Sequence, residues 1–583
     1  MGAEVVMINT HEVENQVPAR EGVDEFTSNV PLVEAVARWG RGGTEASAQA
    51  EASAPAEASA QVEASAQELA RVGALVGSSA FRRDAERANT HPPVLQAFDR
   101  WGRRIDEVEY DDAYHRVIGA AVDAGAHTSA AAAPGPGANV DRAAAFLLFA
   151  QVEPGHACPV SMTHAAVPTL ELAASGLRDE WMPRLLSRAY EPGLGGAGAT
   201  KRSALVGMAM TEKQGGSDVR ANTTRAERRG GSGSSGGPAS WGSEYGLTGH
   251  KWFCSAPMSD AFLVLAQAQH GLSCFFVPRV LPDGSRNVFR IQRLKDKLGN
   301  RSNASSEIEL DGTTGWLIGE EGRGVATIVQ MVTRTRLDCV IGSAAGMRQA
   351  VAEAAWHVRH RSAFGALLVD QPVMSAVVAD LAVESEAATL TAMRLARSYD
   401  EDADGAEQAF RRLATAVSKY WVCKRGAGHA AEALECLGGN GYTEAFPLAR
   451  RYREQPLLAI WEGSGNVIAL DVLRVLAREP EAFEAFFAEV GAAAGESPVF
   501  DAALAAARSL VRELSATDAA GAPLLARELT ERLALVLQGS LMLRYSPGGV
   551  ADAFVRTRLG DEGGRQYGVL PRGADVAGIL ARA

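Results

Sequence analysis

The sequence predicts a multidomain, mainly α-helical protein with a central β-domain. Apolar residues recur three or four positions apart from Gln67 to Leu186 and again from Gly324 to about Ala477, which is the period of an amphipathic helix. From Ser203 to Leu317 the chain instead alternates short β-rich runs with turns. Because 583 residues are too many for one core, we expect a helical bundle, a β-barrel or sandwich, a second helical bundle and an extra C-terminal helical domain.

Six segments divide the chain. Residues 1–44 have an ordinary mixed composition, and residues 45–68 repeat Glu-Ala-Ser-Ala with two-residue spacers. Val62 is the only large apolar residue of the repeat, so the segment cannot bury enough surface to offset ordering and should be a disordered or transiently helical insert. The other predicted domains are the N-terminal helical domain 69–200, the central β-domain 201–320, the second helical bundle 321–478 and the C-terminal helical domain 479–583.

Charge and cysteine content exclude several classes of protein. The chain has 58 Lys and Arg against 70 Asp and Glu, and this formal charge of −12 gives no support to nucleic acid as a general partner. The six cysteines are scattered without metal-ligand spacing, so we expect no metal site and free thiols in a reducing compartment.

The chain shows neither a signal-peptide pattern nor an apolar run of about 18 residues. We expect a cytoplasmic protein with no membrane partner.

One polar turn carries the clearest binding pattern. An apolar, strand-like run from Ser203 to Met210 leads directly into a turn that contains Thr211, Gly216 and Ser217. Because glycine has no side chain, backbone N–H groups and hydroxyls stay open at the end of this strand. The arrangement suits binding of a ring edge and a phosphate.

A second glycine pattern has a different meaning. The segment from Gly193 to Gly198 satisfies Gly-x-Gly-x-x-Gly, but a helix-like segment precedes it and a strand-like segment follows it. This order is the reverse of the one that brings a helix N-terminus to a pyrophosphate. We interpret the segment as a linker between domains rather than as part of a nicotinamide-binding fold.

Glu462 is the candidate general base. It stands in Trp-Glu-Gly-Ser-Gly-Asn, residues 461–466, immediately before a predicted helix. A carboxylate in a glycine-flanked turn can reach into a cleft, where an apolar neighbour raises its pKa toward a useful value. The same carboxylate could instead cap the helix that follows. From spacing alone the two interpretations are equally supported.

Four sequence words resemble the acyl-CoA dehydrogenase superfamily, and more closely its AidB-like subgroup of alkylation-response flavoproteins. They are Met210–Asp218 (MTEKQGGSD), Gly249–Phe253 (GHKWF), Leu294–Ala304 (LKDKLGNRSNA) and Ile460–Asn466 (IWEGSGN). The resemblance runs from about residue 12 to the end of the chain, apart from the repeat. It implies the order bundle, β-domain, bundle, with FAD as cofactor and an acyl thioester as substrate.

The resemblance also implies roles for individual residues. Glu462 would remove the α-proton of the substrate, and Arg336 would steady the charge of that carboxylate. The positions that resemble flavin-binding ones are Met208, Met210, Thr211, Gly216, Ser217, Phe253, Cys254, Ser255, Trp461, Ser464 and Asn466. Those that resemble contacts with the cofactor of a neighbouring subunit are Arg361, Phe364, Gln371, Gly438 and Gly439. Arg474 matches a position that projects into the substrate channel of the subgroup.

Some of these positions depart from the family pattern or have a plainer explanation. Phe253 and Cys254 stand where many dehydrogenases have Trp and Ile, so the surroundings of the flavin are expected to differ. By itself, Arg361 would be a solvated residue at a helix end. Arg474 would be a surface residue near a helix C-terminus, where the helix dipole favours a cation.

Three functions remain open from the sequence. The resemblance favours an FAD-dependent flavoprotein linked to DNA alkylation-damage defence, with weak or narrow α,β-dehydrogenation of a short or branched acyl-CoA. The alternatives are an ordinary acyl-CoA dehydrogenase of lipid or amino-acid catabolism, and a DNA-binding or scaffold flavoprotein with vestigial catalysis. Contacts between subunits imply a homo-oligomer, expected to be a tetramer. Charge gives DNA binding little support, because residues 479–583 contain ten Arg and no Lys against fourteen acidic residues.

Overall fold

The computed structural model describes residues 10–43, 55–195, 201–229, 238–517 and 521–583. Its N-terminal helices are α1 (Val30–Trp39), α2 (Pro55–Gly77), α3 (Ser79–Thr90), α4 (Asp112–Asp123), α5 (Ser129–Ala132), α6 (Ala138–Val152), α7 (Ala157–Leu170) and α8 (Ser175–Leu185). Helix α6 is buried on almost every side, because all residues from Ala143 to Ala150 are apolar and the buried Arg142 guanidinium pairs with Asp338. It therefore forms the centre of this bundle.

Helix α2 selects the helical alternative for the described part of the segment 45–68, which was expected to be disordered or transiently helical. Residues 55–68 form the first part of α2, which continues without a break to Gly77. Ala and Glu are strong helix formers, so the repeat extends a helix that the apolar residues after it hold in place. Leu69, Val72 and Val76 provide that attachment because they are buried in the core. Residues 45–54 lie outside the described parts of the chain.

A β-hairpin interrupts the N-terminal domain, for which the sequence pattern predicts helices alone. β1 (Val94–Phe98) pairs antiparallel with β2 (Arg104–Glu109). The Asp99 carboxylate accepts hydrogen bonds from the backbone N–H groups of Trp101 (2.9 Å) and Arg103 (2.8 Å), which fixes the turn. The expectation of an all-helical domain is therefore wrong at this hairpin, where local turn chemistry overrides the helical pattern on both sides.

The central β-domain is a small barrel. Its strands are β3 (Val206–Ala209), β4 (Arg225–Arg228), β5 (Glu244–Ser255), β6 (Ala261–Ala268), β7 (Gly271–Pro278), β8 (Arg290–Leu294) and β9 (Ser305–Ile318). The ring runs from β6 through β4, β5, β9 and β7 back to β6, while β3 extends it at β6 and β8 at β9. Phe262, Phe275 and Phe276 are fully buried in the domain. The predicted central β-domain is confirmed.

A second helical bundle follows the barrel. Its helices are α9 (Gly324–His360), α10 (Pro372–Arg397), α11 (Gly405–Glu435), α12 (Pro447–Leu458) and α13 (Gly465–Arg478). A short hairpin, β10 (Ser362–Ala363) with β11 (Ala366–Leu367), separates α9 from α10. Phe364 and Gly365 form its turn with left-handed backbones, φ 53° and 82°.

The C-terminal helices pack on the second bundle through buried ion pairs. They are α14 (Pro480–Gly491), α15 (Pro498–Ala516), α16 (Ala522–Tyr545), α17 (Gly548–Phe554) and α18 (Val576–Leu580). Arg558 contacts Asp380 and Glu384 of α10, and Arg582 contacts Glu386 of the same helix at 3.0 Å. Within the described residues, no helix is long and apolar enough to cross a membrane, and no cluster of metal-binding side chains occurs.

Candidate active site

Glu462 occupies a strained turn between α12 and α13. Its backbone is left-handed (φ 58°), and so is that of Gly463 (φ 111°). For a residue other than glycine this conformation costs on the order of 1–3 kcal/mol, and it persists only where the surrounding structure enforces it. Strain of this kind concentrates at functional sites, and the Glu462 carboxylate is therefore a candidate functional group.

The Glu462 carboxylate is held by a residue of α9. The Thr335 hydroxyl donates a hydrogen bond of 2.8 Å to Oε2. Burial raises the pKa of Glu462, while the Thr335 bond and the charges of Arg336 and Lys419 offset part of that rise. Oε1 has no hydrogen-bond partner within the described parts of the chain. A carboxylate with a raised pKa and one unused oxygen is suited to accept a proton.

The helix-cap interpretation of Glu462 does not fit this geometry. The N-cap residue of α13 is Ser464, and no side chain provides the capping hydrogen bond there. The Glu462 carboxylate instead bonds to Thr335 on a different helix. Its position therefore needs another explanation than helix capping.

Arg336 supports the backbone of the Glu462 turn. Its Nε donates to the backbone carbonyl of Glu462 (2.9 Å), and its Nη1 lies 3.0 Å from Asp471 Oδ2. Lys419 donates to the neighbouring carbonyl of Gly463. The two cations thus hold consecutive carbonyl groups, and Arg336 acts on the carboxylate only through its charge. Sequence spacing could not identify Lys419, which lies 44 positions from Gly463.

Two predicted residues of α13 bind other side chains of the protein, and one of them shares the Asp471 carboxylate with Arg336. Arg474 Nη1 binds Asp471 at 2.9 Å, and 56% of its side chain is exposed, as expected for a surface residue. Arg527 of α16 donates a 2.9 Å hydrogen bond to Asn466 Oδ1. Roles for Arg474 in a substrate channel and for Asn466 at a cofactor therefore remain predictions.

A buried ion pair anchors the predicted flavin-binding turn. The Glu212 carboxylate accepts from Lys251 Nζ (2.8 Å) and from the backbone N–H groups of Thr223 (2.7 Å) and Thr224 (3.1 Å). Burial would raise the pKa of Glu212, but these hydrogen bonds and the Lys251 charge together hold it well below its usual range. Lys251 also donates to the carbonyl of Leu265 (2.7 Å). This pair fastens the turn to β5 and β6, and the sequence interpretation missed it.

The turn itself presents open backbone. Met208 belongs to β3, and Met210 follows it with its carbonyl accepting from Asn222 Nδ2 at 2.9 Å. A side chain at Gly216 would lie 2.6 Å from Thr211 Oγ1, so only glycine fits there. Ser217, the next residue, is exposed. The polar atoms of this loop are thus accessible at the end of the strand.

Strand β5 separates the three predicted residues at its end. A β-bulge falls between Lys251 and Cys254, and Phe253 is 47% exposed. Ser255 is half-buried, and its hydroxyl lies 3.1 Å from that of Ser305. The Cys254 thiol is fully buried in the barrel core, and burial raises its pKa to about 12. The Cys254 side chain therefore points into the barrel, and a contact between Cys254 and the flavin stays a prediction.

The residues predicted to act between subunits lie on the surface of the chain. The Phe364 side chain is fully exposed at the tip of the β10–β11 hairpin. Gln371 Nε2 donates to the Ala363 carbonyl (2.9 Å), and the Arg361 guanidinium donates to the carbonyl of Asn15. Gly438 and Gly439 follow α11 at an open position, where a Cβ would meet no other atom within 4 Å.

The residues at the two turns fit a flavin. Trp461 Nε1, next to Glu462, is buried and has no hydrogen-bond partner in the described structure, so a donor is available to a bound group. Ser464 is exposed, and its hydroxyl makes no capping bond. The open backbone at Gly216 suits a phosphate, and the exposed ring of Phe253 suits an aromatic system.

Three family descriptions match successive parts of the chain. Residues 15–192 match "Adaptive response protein AidB N-terminal domain", residues 207–313 match the middle domain of acyl-CoA dehydrogenase, and residues 322–477 match its C-terminal domain. These matches follow the order of the N-terminal bundle, the barrel and the second bundle.

Comparison with named relatives points to the same family. AidB of Escherichia coli (strain K12) is 42% identical over 556 residues, which cover 95% of both chains. Acyl-CoA dehydrogenase family member 11 of Caenorhabditis elegans is 30% identical over 73% of this chain and 69% of the relative. A crystal structure of C. elegans ACDH-11 in complex with C11-CoA has the same fold, with a TM-score of 0.81, 24% identity and coverage of 99% of this chain and 93% of that one. The chain therefore belongs to the AidB group of the acyl-CoA dehydrogenase family.

Proposed function

We propose that the protein is an FAD-dependent oxidoreductase that removes hydrogen from the α and β carbons of an acyl-CoA. The observation that carries this proposal is the Glu462 turn, where a carboxylate of raised pKa has Oε2 bonded to Thr335 and Oε1 unused. Family membership supports the same chemistry. FAD, when bound, supplies an acceptor for the hydride that leaves the β carbon.

The chain's own residues have separate tasks in this reaction. Glu462 Oε1 takes the α-proton, and the Thr335 hydroxyl keeps the carboxylate in one orientation. Arg336 and Lys419 hold the two carbonyl groups of the strained turn, so the base does not relax away from the substrate. Phe253, Ser255, Trp461 and the Gly216 turn hold the cofactor.

The substrate that we propose is a short or branched acyl-CoA, with weak or narrow activity. Support for a coenzyme A thioester comes from relatives, whose names include glutaryl-CoA, isovaleryl-CoA and short-chain acyl-CoA dehydrogenases. The match to AidB of E. coli supports a role in defence against DNA alkylation damage, since the family description carries the words adaptive response.

We further propose that the working form is a homotetramer. A fully exposed Phe364 at a hairpin tip is an apolar group that a partner subunit would cover. The Gly438 and Gly439 backbone is open to close approach. Arg361, Gln371 and these residues would then contact the cofactor of the neighbouring subunit.

Direct DNA binding receives little support from the C-terminal helices. A phosphate-binding surface needs free cations, because affinity comes largely from neutralised phosphates and released counterions. Arg558 and Arg582 are committed to carboxylates of α10, and Arg544 binds Glu489 at 2.8 Å. We therefore assign Arg558 and Arg582 to attachment of the C-terminal domain, and Arg544 to packing within that domain. The six cysteines are free and buried, which fits a cytoplasmic location.

Anaerobic titration of the FAD-loaded protein with a panel of acyl-CoA thioesters tests this function. We expect at least one short or branched thioester to bleach the flavin absorbance, with straight long chains reacting less. A spectrum that stays flat with every thioester would contradict the proposed reaction and favour a binding or scaffold role. A retarded DNA fragment whose binding ignores salt would separately contradict phosphate contact.

A further inference from the structure

A chain of three polar side chains leads from a half-buried lysine, in the loop between β8 and β9, to the candidate flavin site. Lys297, from the loop between β8 and β9, donates to the Ser305 hydroxyl at 3.1 Å and also to the Asn303 carbonyl. The Ser305 hydroxyl lies 3.1 Å from that of Ser255, across the paired strands β9 and β5. Ser255 is the last residue of β5 and lies two positions after the exposed Phe253.

We infer that Lys297 is a positioning residue that fixes Ser255 as a hydrogen-bond donor directed at the flavin site. This inference rests on the proposed function, because it takes Ser255 to lie beside the bound flavin. The inference specifies the donor-to-acceptor direction of these hydrogen bonds, which run outward from Lys297, through Ser305, to Ser255.

The direction follows from what each group can donate. A lysine ammonium has three protons and no acceptor, so Ser305 Oγ must accept from Lys297. Ser305 is only 4% exposed, and its hydroxyl has no other partner in the described structure. Because an unsatisfied buried proton is costly, the Ser305 proton goes to Ser255 Oγ. Ser255 then accepts from Ser305 and keeps its own proton for another acceptor.

Lys297 is an unusual cation for a protein interior. No carboxylate lies within ion-pair distance of its ammonium among the residues described. The titratable groups that face it are Cys158 of α7 and Glu454 of α12. Burial lowers the pKa of Lys297 to about 8, and these two groups only partly oppose that change. A half-buried ammonium without a carboxylate partner is explained if its charge polarises the neighbouring Ser305 hydroxyl.

Cys158 lies on the other side of Ser255. The buried Cys158 thiol lies within hydrogen-bond reach of Ser255 and Asn303. The charges of Lys297 and Glu462 also act on its pKa. A thiol is a weak acceptor, so it competes poorly for the Ser255 proton. A ring nitrogen of a bound isoalloxazine would be a stronger acceptor than the thiol. The chain of Lys297, Ser305 and Ser255 therefore presents a charge-assisted donor to the flavin.

This role has a consequence that a purely structural lysine would not have. When Lys297 loses its proton, the amine gains a lone pair and can accept from Ser305, so the direction of the chain is no longer fixed. The donor at Ser255 should then weaken as pH rises through about 8. A donor and a positive charge near the flavin also favour its reduced form, so their loss should make the midpoint potential more negative.

The test compares Lys297→Gln, Lys297→Arg and Ser255→Ala with the wild type, each as the FAD-loaded full chain. The readouts are the FAD dissociation constant, the midpoint potential and the visible flavin spectrum between pH 6 and 10. Glutamine can both donate and accept, so it does not fix the direction, whereas arginine can only donate. Arg290→Met is the matched control, because it removes a cation from β8 at an exposed ion pair with Asp311. Thermal unfolding of each variant checks its folding.

We expect Lys297→Gln and Ser255→Ala to weaken FAD binding roughly tenfold, as for loss of one charge-assisted hydrogen bond, and to lower the midpoint potential. The wild-type flavin spectrum should change with a midpoint near pH 8. Lys297→Gln should abolish this change. Lys297→Arg should keep the donor at Ser255 at every pH, because arginine stays charged. If Ser255→Ala shows these effects but Lys297→Gln matches the wild type, the inference is wrong and the proposed function stands. A wild type that binds no FAD would overturn both.

Discussion

The substitution Thr335→Val removes the hydrogen bond from Thr335 to Glu462, together with the contact of the same hydroxyl with the Val332 carbonyl of its own helix (3.0 Å). Thr335 Oγ1 lies 2.8 Å from Glu462 Oε2, and valine keeps the shape of the side chain. The bond stabilises the carboxylate over its protonated form, so its loss should raise the pKa of Glu462 further. A hydrogen bond to a charged group contributes about 1.5 kcal/mol, which corresponds to roughly a tenfold change in the fraction of ionised base below its pKa.

The rate of flavin bleaching as a function of pH measures this effect. A carboxylate base acts in its ionised form, so the rate rises as pH increases through its pKa. In Thr335→Val the rise should move to higher pH, with bleaching slowed up to about tenfold on the acid side and nearly normal at high pH. Thr333→Val is the matched control, because the Thr333 hydroxyl donates only to the Val329 carbonyl of its own helix (2.9 Å).

A profile of Thr335→Val that coincides with that of Thr333→Val would refute this account of Glu462. A rate lowered equally at every pH would indicate that Thr335 only orients the carboxylate, and it would contradict the predicted effect of Thr335 on the pKa of Glu462. FAD content and thermal unfolding of both variants should match those of the wild type.

Two further predictions concern the flavin-binding turn. Lys251→Met should destabilise the protein by about 3–5 kcal/mol in urea unfolding, because it leaves the buried Glu212 carboxylate unpaired, and the double variant with Glu212→Gln should recover part of the loss. Equal stability of Lys251→Met and the wild type would contradict the anchoring role of the pair. Gly216→Ala should weaken FAD binding at least tenfold in a fluorescence titration, since the new methyl group collides with Thr211, whereas Gly428→Ala, at an open helical position, should not. Equal affinities would show that the turn does not hold the cofactor.

The order of the domains could be predicted from periodicity, but irregular features could not. Strand β5 runs without a break from Glu244 to Ser255, but a bulge after Lys251 interrupts the alternation by which a sequence pattern would mark one long strand. The β1–β2 hairpin was missed because helical periodicity on both sides outweighed the short turn signal at Asp99. Residues 55–68 are helical because the anchored apolar residues after them extend a repeat that is rich in helix formers.

The candidate site shows a similar division. Glu462, Gly216 and the strand end were identifiable because each lies in a short local pattern of glycine and polar residues. Their partners were not, because contacts such as Thr335 with Glu462 and Lys251 with Glu212 join residues 127 and 39 positions apart. The pleat of β5 places the Cys254 thiol in the barrel core, which a motif match by itself does not reveal.

The most direct test of the central claim is the reaction of Glu462→Gln with the acyl-CoA that best bleaches the wild-type flavin. The measurement is anaerobic absorbance of the FAD-loaded variant, with its FAD content determined first. We predict that the variant binds FAD and the thioester normally but shows no bleaching, because the amide cannot take the α-proton. Bleaching at the wild-type rate would contradict the assignment of Glu462 as the base and, with it, the proposed chemistry of the site.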